Sequence, residues 1–162
     1  MSSKLKNLSD YDPNSVPDAS KMTFGIVVSE WNSEITSALL SGAINSLMKH
    51  GATKENIITE YVPGTFELTY AAKRLQMLNL DAVIALGCVI QGETRHFDFI
   101  CDAAANGIMQ LNTTGEVPVI FGVLTTHNLF QAIDRCGGKH GNKGDEAAIT
   151  AIKMVAFRDR VK

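Results

Sequence analysis

Residues 82–98 read AVIALGCVIQGETRHFD, an apolar run that meets glycines and then turns polar. Such a run is typical of a buried strand, and Gly87 and Gly92 indicate that it ends in a loop. Residues 97–111 contain no proline and carry apolar side chains at helical spacing, which predicts a helix directly after the loop. In parallel sheets built from such units, ligands bind beyond the carboxyl ends of the strands.

The alternation of strand and helix continues in both directions from this stretch. The pattern predicts strands at Thr23–Val28, Asn56–Val62, Asp81–Ile90 and Val119–Leu124, and helices from Asn32 or Ser33 to Gly51, from Phe66 to Leu78, from Phe97 to Leu111, from Thr125-Thr126 to Arg135 and from Asp145 to Arg158. A polar, glycine-rich loop at Gly137–Gly144 precedes the last helix. Four alternations imply a parallel sheet covered on both faces. The predicted fold class is α/β, a flavodoxin-like three-layer α/β/α sandwich with a four-stranded parallel sheet.

The N-terminal segment differs in composition from the rest of the chain. Residues 1–22 are polar and contain Pro13 and Pro17, so we expect an N-terminal arm that stays outside the core. No repeat, low-complexity tract or linker divides residues 23–162, which are predicted to form one domain.

The overall composition favours small-molecule chemistry. The chain has 162 residues, 45% of them hydrophobic and 20% charged, enough for one substantial core. Fifteen Lys and Arg against seventeen Asp and Glu give a net charge of -2, with no basic field to attract nucleic acid or an anionic membrane. We therefore expect neither as a partner.

The cysteines and the apolar runs indicate a cytoplasmic protein. Cys88, Cys101 and Cys136 are odd in number and form no C-x-x-C pair, which argues against a disulfide framework and a zinc knuckle. No apolar stretch is as long as a membrane span, and the polar N-terminus lacks the apolar core of a signal peptide.

The loop after the third predicted strand carries the residues most suited to catalysis. Backbone amides around Gly92 to Thr94, with the Thr94 hydroxyl, could hold a phosphate at a helix N-terminus. His96 stands at the start of the helix, and histidine is the side-chain type best suited to proton transfer at neutral pH. An enzyme is one interpretation of this pairing. The alternative is that Gly92 makes a turn, Thr94 caps the helix and His96 is an ordinary first-turn residue.

The other strand ends add aromatic and carboxylate side chains. Trp31-Asn32 follows the first strand, Pro63-Gly64-Thr65-Phe66-Glu67 follows the second, and Phe121 lies in the fourth. Together with the backbone amides around Gly92 to Thr94, these residues predict a site for a flat heterocycle and a phosphate. Trp31, the only tryptophan, is expected to contact a ligand, whereas Phe66 by itself is expected in the core.

Five motifs, in this order, resemble the 6,7-dimethyl-8-ribityllumazine synthase family from about Thr23 to the end of the chain. They are Val27-Val28-Ser29-Glu30-Trp31-Asn32, Val62 to Glu67, Gly87 to Asp98, Pro118 to Gly122 with Thr125-Thr126, and Arg135 with Gly141-Asn142-Lys143-Gly144. The resemblance implies the penultimate step of riboflavin biosynthesis. In that step 5-amino-6-(D-ribitylamino)uracil condenses with 3,4-dihydroxy-2-butanone 4-phosphate, and phosphate and water are released. It implies no metal and no organic cofactor.

The resemblance also implies a role for each matching residue. His96 corresponds to the proton-transfer residue. The implied contacts with the pyrimidine substrate are Trp31 on the ring, Phe121 over it, the backbone of Cys88, Val89 and Ile90 on its polar edge, and Thr65, Phe66 and Glu67 on the ribityl chain. The implied contacts with the phosphate are Glu93, Thr94 and Arg135. Phe121 and Arg135 are implied to come from the neighbouring subunit. A carboxylate would repel phosphate, so only the backbone N–H of Glu93 is assigned.

Assembly is the other consequence of the resemblance. Family members form pentamers, and Gly137–Gly144 has the short Gly-Lys-x-Gly-Asn form of those that build sixty-subunit shells. The same glycines could instead merely connect two helices. The N-terminal arm is expected to add a strand or extended segment to a neighbour's sheet. The resemblance makes riboflavin synthase a candidate partner. His127 and Phe130 depart from the family by replacing acidic residues.

Three other classes of protein remain as alternatives at this point. A flavin- or nucleotide-binding module would need glycines after the first strand, and Ser29–Glu34 contains none. A thiol enzyme would use Cys88 with His96, although a cysteine at the end of a buried strand is usually a core residue. A purely structural shell protein is the third alternative.

Overall fold

Four parallel strands in the order β2–β1–β3–β4 form the centre of the molecule in the computed structural model, which describes residues 7–161. The strands are β1 (Phe24–Ser29), β2 (Ile57–Val62), β3 (Ala82–Ile90) and β4 (Val119–Thr126). Phe24 pairs with Ile57 on one side and with Ala82 on the other, so β1 and β3 are the interior strands. This parallel sheet confirms the predicted fold class.

Helices cover both faces of the sheet. They are α1 (Ser33–Lys49), α2 (Leu68–Leu75), α3 (His96–Thr114), α4 (Leu129–Ile133) and α5 (Lys143–Arg160). Side chains of β3 alternate between the two layers: Ile84 and Leu86 pack with α1 and α5, whereas Val83 and Ala85 pack with α2 and α3. Because both faces are buried, β3 is a continuous apolar run, as the sequence predicted.

The segment after β4 differs from the prediction. Thr125 and Thr126 do not cap a helix, because they pair with Val89 and Ile90 and extend β4. The helix begins later and is short: Asn128 is its N-cap, accepting a hydrogen bond from the backbone N–H of Gln131. The prediction of a helix from Thr125 to Arg135 is therefore wrong at its start and in its length.

The glycine-rich segment is also more ordered than a loop. Strands β5 (Cys136–Gly138) and β6 (Gly141–Asn142) pair as a small antiparallel hairpin between α4 and α5. Gly137 and Gly141 have φ angles of +124° and +79°, values that favour glycine and permit the tight reversal. Helix α5 consequently begins at Lys143, two residues before its predicted start.

The arm contacts its own chain over the residues that the structure describes. Val16 and Ala19 are buried in the α1–α5 core, so the prediction that the arm stays out of the core is wrong at these two positions. The Ala19 N–H donates to the His50 carbonyl at 2.8 Å. Residues 1–6 lie outside the described residues, and contact between the arm and a neighbour's sheet stays a prediction.

Candidate active site

A cavity of about 700 Å³ opens at the carboxyl edge of the sheet, where the loops after β1, β2 and β3 meet. Its walls are Trp31, Asn32, Pro63, Gly64, Thr65, Phe66, Glu67, Cys88, Val89, Ile90, Gly92, Thr94, His96, Phe97 and Ile100. Parallel strands bring the ends of sequence-distant segments to one edge, which explains why these residues converge.

The β1–α1 loop is held by an asparagine in the left-handed conformation. Asn32 has φ 59° and ψ 46°, and its side-chain amide donates to the Cys88 carbonyl at 2.9 Å. It therefore does not cap α1 with its side chain, contrary to one of the two predicted caps. The Trp31 N–H donates to the Pro63 carbonyl at 3.1 Å. These bonds leave the Trp31 side chain 72% exposed on the cavity wall, where a planar ligand can stack.

The β2–α2 loop supplies an aromatic ring and a carboxylate. Phe66 is 57% exposed and lines the cavity, so the prediction from composition that it lies in the core is wrong. Thr65 is buried beneath it, and a Cβ on Gly87 would lie 2.8 Å from the Thr65 hydroxyl. Glycine at position 87 thus allows the loop to approach β3 and directs Phe66 and Glu67 outward.

The end of β3 forms the floor of the cavity. Cys88 is 1% exposed, and burial raises the pKa of its thiol to about 12, with a smaller contribution from Cys136. The thiol is therefore protonated at neutral pH, which argues against a Cys88/His96 thiol enzyme. Val89 and Ile90 are half-buried and follow Cys88 along the wall.

The loop after β3 ends at the N-terminus of α3. The Thr94 hydroxyl accepts a hydrogen bond from the His96 N–H at 3.4 Å, so Thr94 supports the first turn of the helix as well as lining the cavity. Nothing lies within 4 Å of a Cβ built on Gly92, so the space beside this glycine is open. The His96 side chain is exposed and has no hydrogen-bond partner within residues 7–161. It is free to exchange a proton with a ligand.

Three residues implied by the resemblance do not line this cavity. Glu93 is exposed outside it, and Phe121 lines a second cavity, of about 610 Å³, between β4 and α5. The Arg135 guanidinium donates to the Gln131 carbonyl at 3.0 Å and contributes to neither cavity. One chain therefore presents two separate parts: the first cavity, with Trp31 and His96, and the implied residues outside it, Phe121 in the second cavity and Arg135 in neither.

Sequence reasoning missed several residues of both parts. Phe97 and Ile100 line the first cavity, although their helical spacing had assigned them only to the apolar face of α3. Lys143 lies beside Phe121 in the second cavity, and its ammonium contacts the Glu146 carboxylate at 2.6 Å. The sequence did not indicate this position, because the start of α5 at Lys143 depends on the hairpin that precedes it.

The described part of the chain offers no metal centre. Within residues 7–161, no three His, Cys, Asp or Glu side chains cluster closely enough to hold a metal ion. No helix in the same range is long and apolar enough to cross a membrane.

Comparison with known proteins places these features in a family. A family model described as 6,7-dimethyl-8-ribityllumazine synthase matches residues 21–159. The enzyme of that name from Cytophaga hutchinsonii is 62% identical over 157 residues, 96% of this chain and 98% of the relative. That from Parabacteroides distasonis is 58% identical over 158 residues, 97% of this chain and 99% of the relative.

A third relative extends the similarity through the arm. The 6,7-dimethyl-8-ribityllumazine synthase of Phocaeicola vulgatus is 55% identical over 163 aligned positions, which span 100% of this chain and 97% of the relative. The match thus includes the whole sheet, the residues that line both cavities and the segment before β1. On these grounds the chain belongs to the 6,7-dimethyl-8-ribityllumazine synthase family.

Proposed function

We propose that this protein forms 6,7-dimethyl-8-ribityllumazine from 5-amino-6-(D-ribitylamino)uracil and 3,4-dihydroxy-2-butanone 4-phosphate, the penultimate step of riboflavin biosynthesis. The protein is a transferase of the family identified above. The observation that carries the proposal is the convergence of an exposed aromatic ring, a carboxylate and an unpartnered imidazole in one cavity, those of Trp31, Glu67 and His96.

The first cavity is suited to the pyrimidine substrate. The Trp31 ring would stack on the heterocycle, while the backbone of Cys88, Val89 and Ile90 would meet its polar edge. The Cys88 carbonyl already accepts a hydrogen bond from Asn32, so it can share only its remaining lone pair with the ring. The ribityl hydroxyls would then extend along Thr65, Phe66 and the Glu67 carboxylate.

His96 would carry protons in the condensation. An aromatic amine is a weak nucleophile, so imine formation requires protonation of the leaving oxygen and removal of a proton from nitrogen. An exposed imidazole can do both, because histidine can donate a proton and accept one. Holding the two substrates side by side contributes much of the rate, so this proton transfer supplies only part of the acceleration.

The phosphate end of the butanone requires the other part of the site. Its dianion would be held by amides of Gly92 to Thr94, including the backbone N–H of Glu93, and by the Arg135 guanidinium of a neighbouring chain. The Arg135 guanidinium donates one hydrogen bond, to the Gln131 carbonyl, and its other N–H groups have no acceptor within residues 7–161. The same neighbour would place Phe121 over the heterocycle. Arg135 would stabilise the phosphate as it leaves.

Because the two parts lie apart in one chain, the complete site needs at least two. We propose that the chains form pentamers by a repeated heterologous contact that closes on itself.

The short hairpin, Cys136–Asn142, supports assembly of the pentamers into a sixty-subunit shell in the cytoplasm, with riboflavin synthase as a candidate partner. Residues 23–162 would form one domain and residues 1–22 its arm. Light scattering and negative-stain microscopy should reveal a spherical particle in the megadalton range. A homogeneous pentamer in phosphate buffer across protein concentrations would contradict the shell but not the shared site.

Mixing both substrates with the protein and recording lumazine absorbance tests the reaction. The same assay tests Arg135. Arg135→Ala should raise the KM for the butanone phosphate about 10- to 100-fold, since a charge-assisted pair is lost, and leave the KM for the pyrimidine nearly unchanged. Arg160→Ala removes an exposed arginine at the end of α5 and serves as the matched control. A raised KM for the pyrimidine alone would contradict the assignment of Arg135 to the phosphate.

A further inference from the structure

The hairpin of β5 and β6 fixes the backbone of Arg135. Arg135 directly precedes β5, and its carbonyl accepts a hydrogen bond at 2.9 Å from the N–H of Lys143, which directly follows β6. Any shift of β6 relative to β5 would therefore be transmitted to the residue that carries the guanidinium. Contacts that hold β6 in place should therefore affect the part of the proposed site that binds phosphate.

Asn142 connects the hairpin to both neighbouring helices. Its side-chain carbonyl accepts from the Gly144 N–H at 2.8 Å and caps α5, while its side-chain amide donates to the Ala38 carbonyl of α1 at 2.9 Å. The side chain thus uses its polar atoms within the fold. The backbone N–H of Asn142, in a residue only 9% exposed, needs a separate acceptor.

That acceptor comes from the N-terminal arm. The Ser9 hydroxyl accepts from the Asn142 N–H at 2.9 Å and donates to the Asp145 carboxylate at 2.5 Å. The other oxygen of Asp145 accepts from the Ser46 hydroxyl of α1 at 3.2 Å. One hydroxyl therefore links the arm, the end of β6 and the first turn of α5.

Two further contacts keep Ser9 against the hairpin. The Leu8 N–H donates to the His140 carbonyl at 2.7 Å. Gly141 lies directly under the arm, because a Cβ there would collide with the Asn7 side-chain oxygen and lie 2.7 Å from the Ser9 nitrogen. The arm thus packs on the hairpin turn itself, and it does so in a region that contributes no residue to the first cavity.

We infer that Ser9 is a positioning residue for Arg135: the arm holds β6, β6 holds the Arg135 backbone, and the guanidinium is thereby aimed at the phosphate of the substrate in the neighbouring chain's cavity. This inference rests on the proposed role of Arg135. Without the Ser9 hydroxyl, the Asn142 N–H loses its acceptor and Asp145 loses a donor, so the hairpin is free to shift. The consequence should be felt by the phosphate-bearing substrate and not by the pyrimidine.

The test compares two hydroxyl deletions in the same arm. Ser9→Ala should raise the KM for the butanone phosphate and the inhibition constant of inorganic phosphate about three- to tenfold, with the KM for the pyrimidine within about twofold of its original value. Ser9→Thr keeps the hydroxyl and should restore both constants. Ser20→Ala is the matched control, because its hydroxyl bonds Asp18 and does not reach the hairpin.

The possible outcomes separate this inference from the proposed function. Unchanged phosphate constants in Ser9→Ala, beside raised ones in Arg135→Ala, would overturn the positioning role alone. Unchanged constants in Arg135→Ala would overturn the role of Arg135 and the inference with it. A lower melting temperature without a change in KM, or an equal rise in both KM values, would mean that Ser9 is only structural. If Ser9→Ala does not assemble, Ser9→Cys retains the volume with a weaker hydrogen-bonding group and is judged by the same constants.

Discussion

Side chains at the two edges of the sheet differ in whether they have hydrogen-bond partners within the chain. At the amino edge, the Asp81 carboxylate accepts hydrogen bonds from Thr23 and from Arg158, the latter at 2.8 Å, and Arg158 also donates to the Asp81 carbonyl at 3.1 Å. At the carboxyl edge, the side chains of Trp31 and His96 are exposed and have no hydrogen-bond partner in the described part of the chain.

The difference separates stability from function. Groups that already have partners inside the chain stabilise the fold, whereas groups left without partners are available to a substrate or to a second chain. Substitutions at the amino edge should therefore lower the free energy of unfolding and leave the kinetics intact. Substitutions at the carboxyl edge should impair the kinetics and leave the free energy of unfolding nearly unchanged.

The largest expected effect is recovery of activity by mixing two impaired variants. Co-expressed His96→Ala and Arg135→Ala chains should assemble with about a quarter of their sites intact, because each site takes one part from each neighbour. Activity should rise well above that of either variant alone. The matched control pairs His96→Ala with Glu67→Ala, two changes in the same part, which leaves every site with at least one lesion. Equal activity in both mixtures would mean that the site lies within one chain.

The next effect concerns His96 alone. His96→Ala should lower kcat by about ten- to a hundredfold, since proton transfer is only part of the rate acceleration, and leave pyrimidine binding largely unchanged. Its melting temperature should stay the same, because the imidazole makes no hydrogen bond within residues 7–161. His127→Ala is the control for the loss of an imidazole as such, because His127 is exposed and lines neither cavity, although its ring nitrogen lies 2.5 Å from the Gln91 side-chain oxygen. An unchanged kcat would remove His96 from the mechanism.

The succession of strands and helices along the chain, and several residues that line the first cavity, could be predicted from the sequence because local signals specify them. The apolar run at Ala82–Ile90 predicted a strand buried on both faces, and the turn to polar residues after it predicted the edge at which His96 lies. Trp31 was assigned to the cavity since a large ring among polar neighbours rarely enters a core. These inferences needed only neighbouring residues.

Features that depend on distant partners were not readable in this way. Thr125 and Thr126 have the composition of a helix cap, but pairing with β3 draws them into a strand. Asn32 likewise matches a cap, yet its amide bonds the Cys88 carbonyl 56 residues away. Phe121 in β4 and Arg135 after α4 lie apart from His96 because of the packing of distant elements, which no neighbouring residue indicates. In each case a tertiary contact overrode a local preference.

A third prediction tests the amino edge. Asp81→Asn should lower the free energy of unfolding by about 1–2 kcal/mol, since hydrogen bonds to a charged group are weakened, without changing kcat or either KM. Burial alone would raise the pKa of Asp81, but bonds from Arg158 and Thr23 lower it below the ordinary 3.8. This carboxylate therefore stabilises the native state above that pH, and the contribution should be lost on acidification below it. Equal stability of Asp81→Asn and the unmodified protein at pH 7 would contradict the assignment.

The smallest expected effect concerns pH at the same edge, where His50 ends α1 and contacts the arm. Its ring nitrogen lies 3.0 Å from the Tyr11 hydroxyl, and its pKa is lowered from the ordinary 6.5, chiefly by burial and then by Lys49. Above pH 6.5 the imidazole is neutral whether the chain is folded or not. As pH falls below that value the unfolded chain binds a proton that the native state resists, so stability should decline slightly until the native imidazole titrates.

His50→Gln can still accept a hydrogen bond but does not titrate, and should show a smaller loss of melting temperature between pH 7.5 and about 5.5. Because Asp81 titrates only in a more acidic range, the two contributions can be resolved in one pH series, and an identical loss in His50→Gln would show that the arm contact carries no pH dependence.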